Sequence, residues 1–174
     1  PGGQIVDWLD EQRKAGRIGA FGGSNWSVAR AQEAYEYSMC VGVKGFAATS
    51  NYFGLATANE DMWPGVELIN TDAKQWYEQT GTVNFAWSSL GRGYFAGRGE
   101  GEDADEDVTR VYVNATNDER RSRALEMGQA KGLTAVQIAG AYAISQPFAS
   151  IALVGCASVD EVEAALHASD IELT

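Results

Sequence analysis

Short apolar runs alternate with amphipathic helical stretches along nearly the whole chain, and this alternation restricts the fold more than any single residue does. Four runs read as strands: residues 17–21, stopped by Gly22-Gly23, then 43–49, 83–87 and 151–154. Helices fill the spaces between them. Residues 5–15 place Ile5, Val6 and Leu9 on one stripe, pair Asp10 with Lys14 four positions on, and end at Gly16. Ser27 caps a second helix whose buried stripe is Val28, Ala31, Tyr35 and Met39. Thr71-Asp72 starts a short helix through Trp76 and Tyr77, with the acid at the favourable end of its dipole. Asn117 opens a helix that ends at Gly132, and Thr134 with Gln137 forms a capping box for an apolar helix that reaches Ser145 and is stopped by Pro147. Ser158 and Glu161 make a second capping box, and Val159, Val162 and Leu166 give the last helix its apolar face.

Strands joined through helical crossovers pair in parallel, so the chain reads as an α/β protein built of parallel β/α units. No low-complexity linker divides it, and its 174 residues make one domain. Four parallel strands fit either a doubly wound open sheet or about half of an eight-stranded (β/α)8 barrel. A half barrel has two open edges and an uncovered inner face, so on that reading residues 1–174 are a single, incomplete domain that alone should aggregate, stay partly molten or pair with a second half. The chain opens Pro1-Gly2-Gly3 without Met, as a processed product or a piece of something longer would.

Charge narrows the partners. Thirteen Lys and Arg against twenty-four Asp and Glu give net −11, which argues against nucleic acid or an anionic membrane surface as the main partner. No run approaches the roughly 18 apolar residues of a membrane span. The two cysteines, Cys40 and Cys156, match neither a metal spacing nor a secreted disulfide framework, which reads as a reduced, cytoplasmic setting. The single histidine, His167, excludes a tri-His zinc site within this chain and reads as a surface residue of the last helix; no metal ligands are assigned.

The chemically informative residues follow the strands: Gly22-Gly23-Ser24-Asn25-Trp26, Ser50-Asn51-Tyr52, Trp87-Ser88-Ser89-Leu90-Gly91-Arg92-Gly93 and Gly155-Cys156-Ala157-Ser158. In parallel α/β architectures the carboxyl ends of the strands line the ligand site. Hydroxyl and amide side chains there hydrogen-bond a ligand, glycines admit backbone N–H groups to phosphate, and an aromatic stacks on a flat ring. Each residue alone also serves as a turn former or cap. Four strand ends of one chemistry favour the ligand-binding reading.

The segments GRIGAFGGSNWS, AATSNYFGL, FAWSSLGRGYFAG and ALVGCASVDEVEAAL resemble, in order and spacing, the carboxyl-terminal half of the aldo-keto reductases. That family folds as a (β/α)8 barrel and reduces aldehydes and ketones with NADPH. The resemblance implies that Ser24 and Asn25 hydrogen-bond the nicotinamide carboxamide, with Thr49 where the family has Gln. It implies that Trp87 stacks on the nicotinamide ring and that Ser88, Leu90, Gly91, Arg92 and Gly93 run along the pyrophosphate. Gly155, Cys156, Ser158 and Glu161 would cradle the adenosine end at the start of the last helix.

The implied cofactor is NADP, with NAD possible, and the substrate a small-molecule carbonyl compound. The implied partner is the amino-terminal half barrel or a second copy. That half supplies the family's Asp, Tyr, Lys and His, so no catalytic residue is assigned here and the chain alone is read as inactive. Thr49, Ser89 in place of a usual Pro, Ala157, Glu161 and Ala165 depart from the family pattern. They leave a second reading: a non-catalytic, barrel-derived binding or assembly module.

Other patterns are set aside. Gly91-x-Gly93-x-x-Ala96 imitates a dinucleotide fingerprint, but Gly97-Arg98-Gly99 and the acidic run 100–107 stand where that pattern needs a helix. Asp103-x-Asp105-x-Asp107 imitates a calcium loop, but Val108 and Asn114 replace its Gly and Glu, leaving a solvated acidic loop. Trp8, Trp26, Trp63 and Trp76 read as packing residues.

Overall fold

Close approach between neighbouring segments, more than apolar alternation, decides where the first strands form. The computed structural model describes residues 2–173. Its order is α1 (Gly2–Lys14), β1 (Gly22–Ser24), α2 (Val28–Val41), β2 (Ala48–Ser50), α3 (Thr71–Thr80), β3 (Val83–Ala86), a 3-10 helix (Gly91–Ala96), α4 (Glu106–Tyr112), α5 (Ala115–Lys131), α6 (Ala135–Ile144), β4 (Ser150–Ala152) and α7 (Val159–Ala168). The strands form one parallel sheet in the order β1-β2-β3-β4.

β1 occupies Gly22–Ser24 and not residues 17–21, so the glycines expected to stop the strand are the strand. A Cβ at Gly23 would lie 2.8 Å from the Phe46 ring and 2.9 Å from the Trp26 indole, so only glycine lets the helix side close over this edge. β2 occupies Ala48–Ser50 and not 43–49. The apolar residues before it, Val43 and Phe46, pack with Ile5, Phe21 and Tyr37 around buried Val6, Trp26 and Ala34. β3 and β4 also end short of the expected Trp87 and Val154.

Register sorts the strand residues onto two faces. Gly23, Thr49, Asn84 and Ser150 align on the side covered by helices, while Gly22, Ala48, Val83 and the pair Phe85–Ile151 point the other way, with Ser24 and Ser50. On that second face Phe85 is 37 % and Ile151 45 % exposed. Large apolar residues are exposed at both edges too: Trp8, Met39 and Val41 beside β1, and Leu153, Val159, Val162 and Leu166 beside β4. The expected buried stripes of α2 and α7 are therefore corrected. α2 buries Ala31, Ala34 and Ser38 while Met39 faces outward, and α7 buries only Ala168 among its residues.

α6 is the core helix. Its Thr134–Gln137 capping box is formed in both directions. Gly140 brings α7 and Leu90 close: a Cβ there would meet Ala168 at 3.1 Å and Leu90 at 3.6 Å. The acidic run, expected to be a solvated loop, contains a helix start. Asp105 accepts from Val108 N and begins α4, with Glu106 and Asp107 at its positive end. Asn114, not Asn117, caps α5; Asn117 is fully buried inside the helix's first turn.

Asp10 is buried in α1 with Arg13 at 2.7 Å and Lys14 at 2.8 Å. The hydrogen bond from Lys14, aided by Arg13, holds its carboxyl below the ordinary value of 3.8 despite burial. A depressed carboxylate contributes stability that is present above its unfolded pKa and lost as pH falls through the folded value. Asp10→Asn is thus expected to melt at lower temperature than the parent at neutral pH, with the gap closing below about pH 4. Melting curves of both proteins between pH 2.5 and 7 check this; a gap that is constant with pH would refute it.

Candidate functional site

At the carboxyl ends of the strands, side chains and backbone from three strands interlock. Ser24, the last residue of β1, donates through Oγ to Ser50 O at 3.2 Å, and Asn25 N donates to the same carbonyl at 3.0 Å. Ser50 Oγ in turn donates to Phe85 O at 3.0 Å. Asn25 sits in the left-handed region with φ +53°, a conformation Asn tolerates better than most residues. Its Oδ1 accepts from Trp87 Nε1 at 3.2 Å and from Glu67 N at 3.2 Å, leaving its amide NH2 to donate. Ser24, Asn25, Ser50 and Trp87 thus meet at one place.

Thr49 does not join them. It is 2 % exposed and faces the helices, 2.6 Å from Tyr77 Oη and donating to Asn84 Oδ1 at 3.3 Å. The period-2 alternation of β2 turns Thr49 away from the face that carries Ser24 and Ser50.

Trp87 is half-buried between two aromatics. Tyr52 lies 5.3 Å from its ring on a tilted plane, and Trp63 stacks at 5.1 Å and 26°. After Trp87 the chain makes a tight loop in which Ser88 (φ +49°), Gly91, Arg92 (φ +52°) and Gly93 are all left-handed. Arg92 points outward, Ser88 and Gly93 are partly exposed, and Leu90 packs into the main core. Buried Ser89 ties this loop to the fourth strand end through Ser89 Oγ to Leu153 O at 3.0 Å. The Gly91-x-Gly93-x-x-Ala96 pattern lies in the 3-10 helix, with α4 following.

At the fourth strand end Gly155 is exposed and Cys156 half-buried. Ser158 accepts from Glu161 N at 3.2 Å, while Glu161 Oε2 accepts from Ala157 N at 2.6 Å. The expected capping box therefore closes one residue early, with the Glu161 carboxylate on the N–H of Ala157, the residue before the cap. Gly155, Cys156, Ser158 and Glu161 stay together at this amino end, separate from the Trp87 cluster. His167 is exposed, with its Nδ1 3.2 Å from Gln137 Nε2.

Residues 54–70 form a strap beside Trp87. Tyr52 N donates to Glu67 O at 2.8 Å and Ile69 N to Tyr52 O at 2.9 Å, so the strap returns alongside Tyr52 as a short parallel bridge. Its outer limb is held by Asn59, bonded to Val111 O, Arg110 O and Val113 O, and by Thr57 N donating to buried Asn117 Oδ1. Arg110 grips the Glu60 carboxylate. Trp63 is 44 % exposed and Trp8 57 %, so neither is the packing residue expected; Trp26 and Trp76 are buried. No local signal marks Trp63 or Glu67, because their partners Trp87, Tyr52 and Asn25 are distant in sequence.

Burial raises the hydroxyls of Tyr52 and Tyr112 above the ordinary tyrosine value, in Tyr52 well above it, so both stay neutral near Trp87. Among the described residues no group of three or more His, Cys, Asp or Glu converges as a metal site. The arrangement offers donors, acceptors and an indole to a flat polar ring, with a left-handed loop and an arginine beside it.

The sequence model described as the aldo/keto reductase family matches residues 3–174. No curated protein matches by sequence. Among solved structures, an aldo/keto reductase from Klebsiella pneumoniae in complex with NADP and acetate superposes with TM-score 0.70 at 21 % identity, covering 100 % of this chain and 50 % of its own. A Klebsiella pneumoniae aldo-keto reductase in complex with NADPH gives 0.69 at 21 %, with the same coverage. A thermostable aldo-keto reductase, Tm1743, with the inhibitor epalrestat gives 0.70 at 18 %, covering 100 % of this chain and 51 % of its own. The chain spans about half the length of these structures, and the likeness establishes the fold.

Thr49→Val keeps shape but removes the hydroxyl that joins Tyr77 to Asn84. It is expected to lower the unfolding free energy by about 1–3 kcal/mol, the cost of leaving buried polar partners unpaired. Ser24→Ala at the exposed rim should cost under about 1 kcal/mol. Urea unfolding of both variants decides; equal, negligible losses would put Thr49 outside the structural network.

Proposed function

The chain belongs to the aldo/keto reductase family, and on that premise we propose that it is the cofactor-binding, carboxyl-terminal half of an NAD(P)H-dependent aldo-keto reductase barrel. The observation that carries the architecture is the pattern of exposed apolar residues. Phe85 and Ile151 lie on the helix-free face of the sheet, and exposed aliphatic residues stand at both of its edges. Those are the surfaces that four further β/α units would cover, and the solved relatives are twice as long. The completing partner is an amino-terminal half barrel or a second copy of this chain.

The observation that carries the binding role is the Asn25–Trp87 pair, 3.2 Å apart at the ends of β1 and β3. NADP fits this place, with NAD possible; structures of relatives hold NADP or NADPH. The Asn25 amide NH2 and Ser24 would hold the nicotinamide carboxamide, Trp87 would stack on the ring, and Ser88, Leu90, Gly91, Arg92 and Gly93 would follow the pyrophosphate. Gly155, Cys156, Ser158 and Glu161 would meet the adenosine end. Glu161 is the residue on which the choice between NADP and NAD turns. Its carboxylate takes the Ala157 N–H, and a 2′-phosphate there requires it to move. Thr49 acts from the helix side by holding Asn84.

When bound, the reduced nicotinamide supplies the hydride that reduces an aldehyde or ketone. The proton would come from the amino-terminal half; near Trp87 the buried Tyr52 hydroxyl is already engaged, donating to Ala56 O at 2.6 Å. The chain alone is inactive. Two free cysteines, one exposed, fit a cytoplasmic setting; among the described residues no helix is long and apolar enough to cross a membrane.

A second reading, a non-catalytic binding or assembly module, is favoured by one observation. The Trp87 ring and the Asn25 acceptor are satisfied internally, by Trp63 and by Glu67 N. The test is titration of the longest polypeptide containing this chain with NADPH and with NADH, followed by tryptophan quenching, with Trp87→Ala as control. Quenching that weakens at least tenfold in the variant supports the reductase reading. Absence of binding by either cofactor favours the module.

A further inference from the structure

The strap between β2 and α3 is anchored at both limbs and free at its tip. On one side Arg110 holds the Glu60 carboxylate and reaches Met62 O at 3.4 Å. On the other, Glu67 to Ile69 run beside Tyr52. Between them, Trp63 is 44 % exposed, Pro64 follows, and Gly65 is left-handed at φ +82° with open space around it. Glycine is the residue that changes φ most freely, so the tip has a hinge that needs neither anchor to break.

The tip's one aromatic contact with the site is the Trp63–Trp87 stack. Trp87's other aromatic neighbour, Tyr52, is buried, tilted against it, and tied through its hydroxyl to Ala56 O at 2.6 Å. Of the two, exposed Trp63 is therefore the one that can move away. The cavity left beneath the strap, lined by Met62, Val66, Leu68 and Trp87, has a volume of about 10 Å³, room for a single water and for no ring.

We infer that Trp63 is a gate on the cofactor site: it stacks on Trp87 and must swing out about Gly65 before a nicotinamide ring can take its place. The inference rests on the cofactor-binding reading above and adds the regulation of that site. A protein that must first open binds with its intrinsic affinity reduced by the open fraction. Removing the gate removes that reduction.

Trp63→Ala is expected to bind NADPH or NADH three- to tenfold more tightly than the parent by calorimetry, the range an aromatic stack supports. Trp63→Phe, which keeps a smaller ring and the same backbone, is expected to fall between. Circular dichroism supplies an independent reading, since the exciton couplet of the stacked indoles should vanish when the parent is saturated with cofactor. Equal or weaker binding by Trp63→Ala while the parent binds, or a couplet that survives saturation, overturns the gate and leaves the reductase reading in place. Failure of the parent and both variants to bind either cofactor overturns both. Binding by Trp63→Ala where the parent shows none supports both.

Discussion

Asn84 is the interaction on which the strand ends depend. It is fully buried in β3, and its Oδ1 accepts from Asn51 N at 3.0 Å and from Thr49 Oγ1 at 3.3 Å. Thr49 in turn meets Tyr77 at 2.6 Å, which ties the sheet to α3. Asn51 passes the constraint onward, donating through Nδ2 to Trp26 O at 2.8 Å and so fixing the loop that carries Asn25. A buried polar chain of this kind is stable only when its members have partners, and it then fixes one geometry. The sheet needs it because its strands are three or four residues long and offer few ladder bonds of their own.

That network leaves no periodic trace. The fold class was legible because helix caps and apolar runs recur: Ser27, Thr134–Gln137 and Ser158 cap helices as their spacing indicates. Strand positions were less legible. In β1 the deciding term is the space between Phe46, Trp26 and the backbone, which glycine alone fits. In β2 the run 43–49 mixes residues of a separate small core with the strand proper. Of the site, Ser24, Asn25 and Trp87 were visible as residues of suitable chemistry after strands, and the structure brings them together. The facing of Thr49 was not legible, because it depends on a register that a one-residue shift reverses. Trp63 and Glu67 reach the site only through tertiary folding of a strap, and α4 was hidden inside a run of charge.

The loops that carry the site hold backbone strain. Asn25, Ser88 and Arg92 are the non-glycine residues with positive φ among those described; Asn25 and Ser88 lie just past strand ends and Arg92 at the start of the 3-10 helix, so that Ser88 and Arg92 frame the loop after Trp87. Such conformations cost roughly 1–3 kcal/mol each and persist where surrounding contacts enforce them. Here those contacts are identifiable: Ser50 O receives Asn25 N, Gly91 N donates to Ser88 O at 2.8 Å, and Ser89 is locked on Leu153 O. Gly54 adds a steric latch, since a Cβ there would sit 2.5 Å from Ser89 O. The start of the strap and the loop after β3 are therefore fitted to each other, so movement at the tip does not loosen the loop.

The apolar face around Phe85 and Ile151 has a colloidal consequence. At neutral pH net −11 makes copies repel, which opposes chance association through such a face. Near the isoelectric point of 4.4 the repulsion disappears while the hydrophobic attraction remains. Charge thus acts as a kinetic guard for an exposed apolar face. Acid removes that guard near pH 4.4, before the Asp10 ion pairs fail, because the Asp10 carboxyl is held below 3.8.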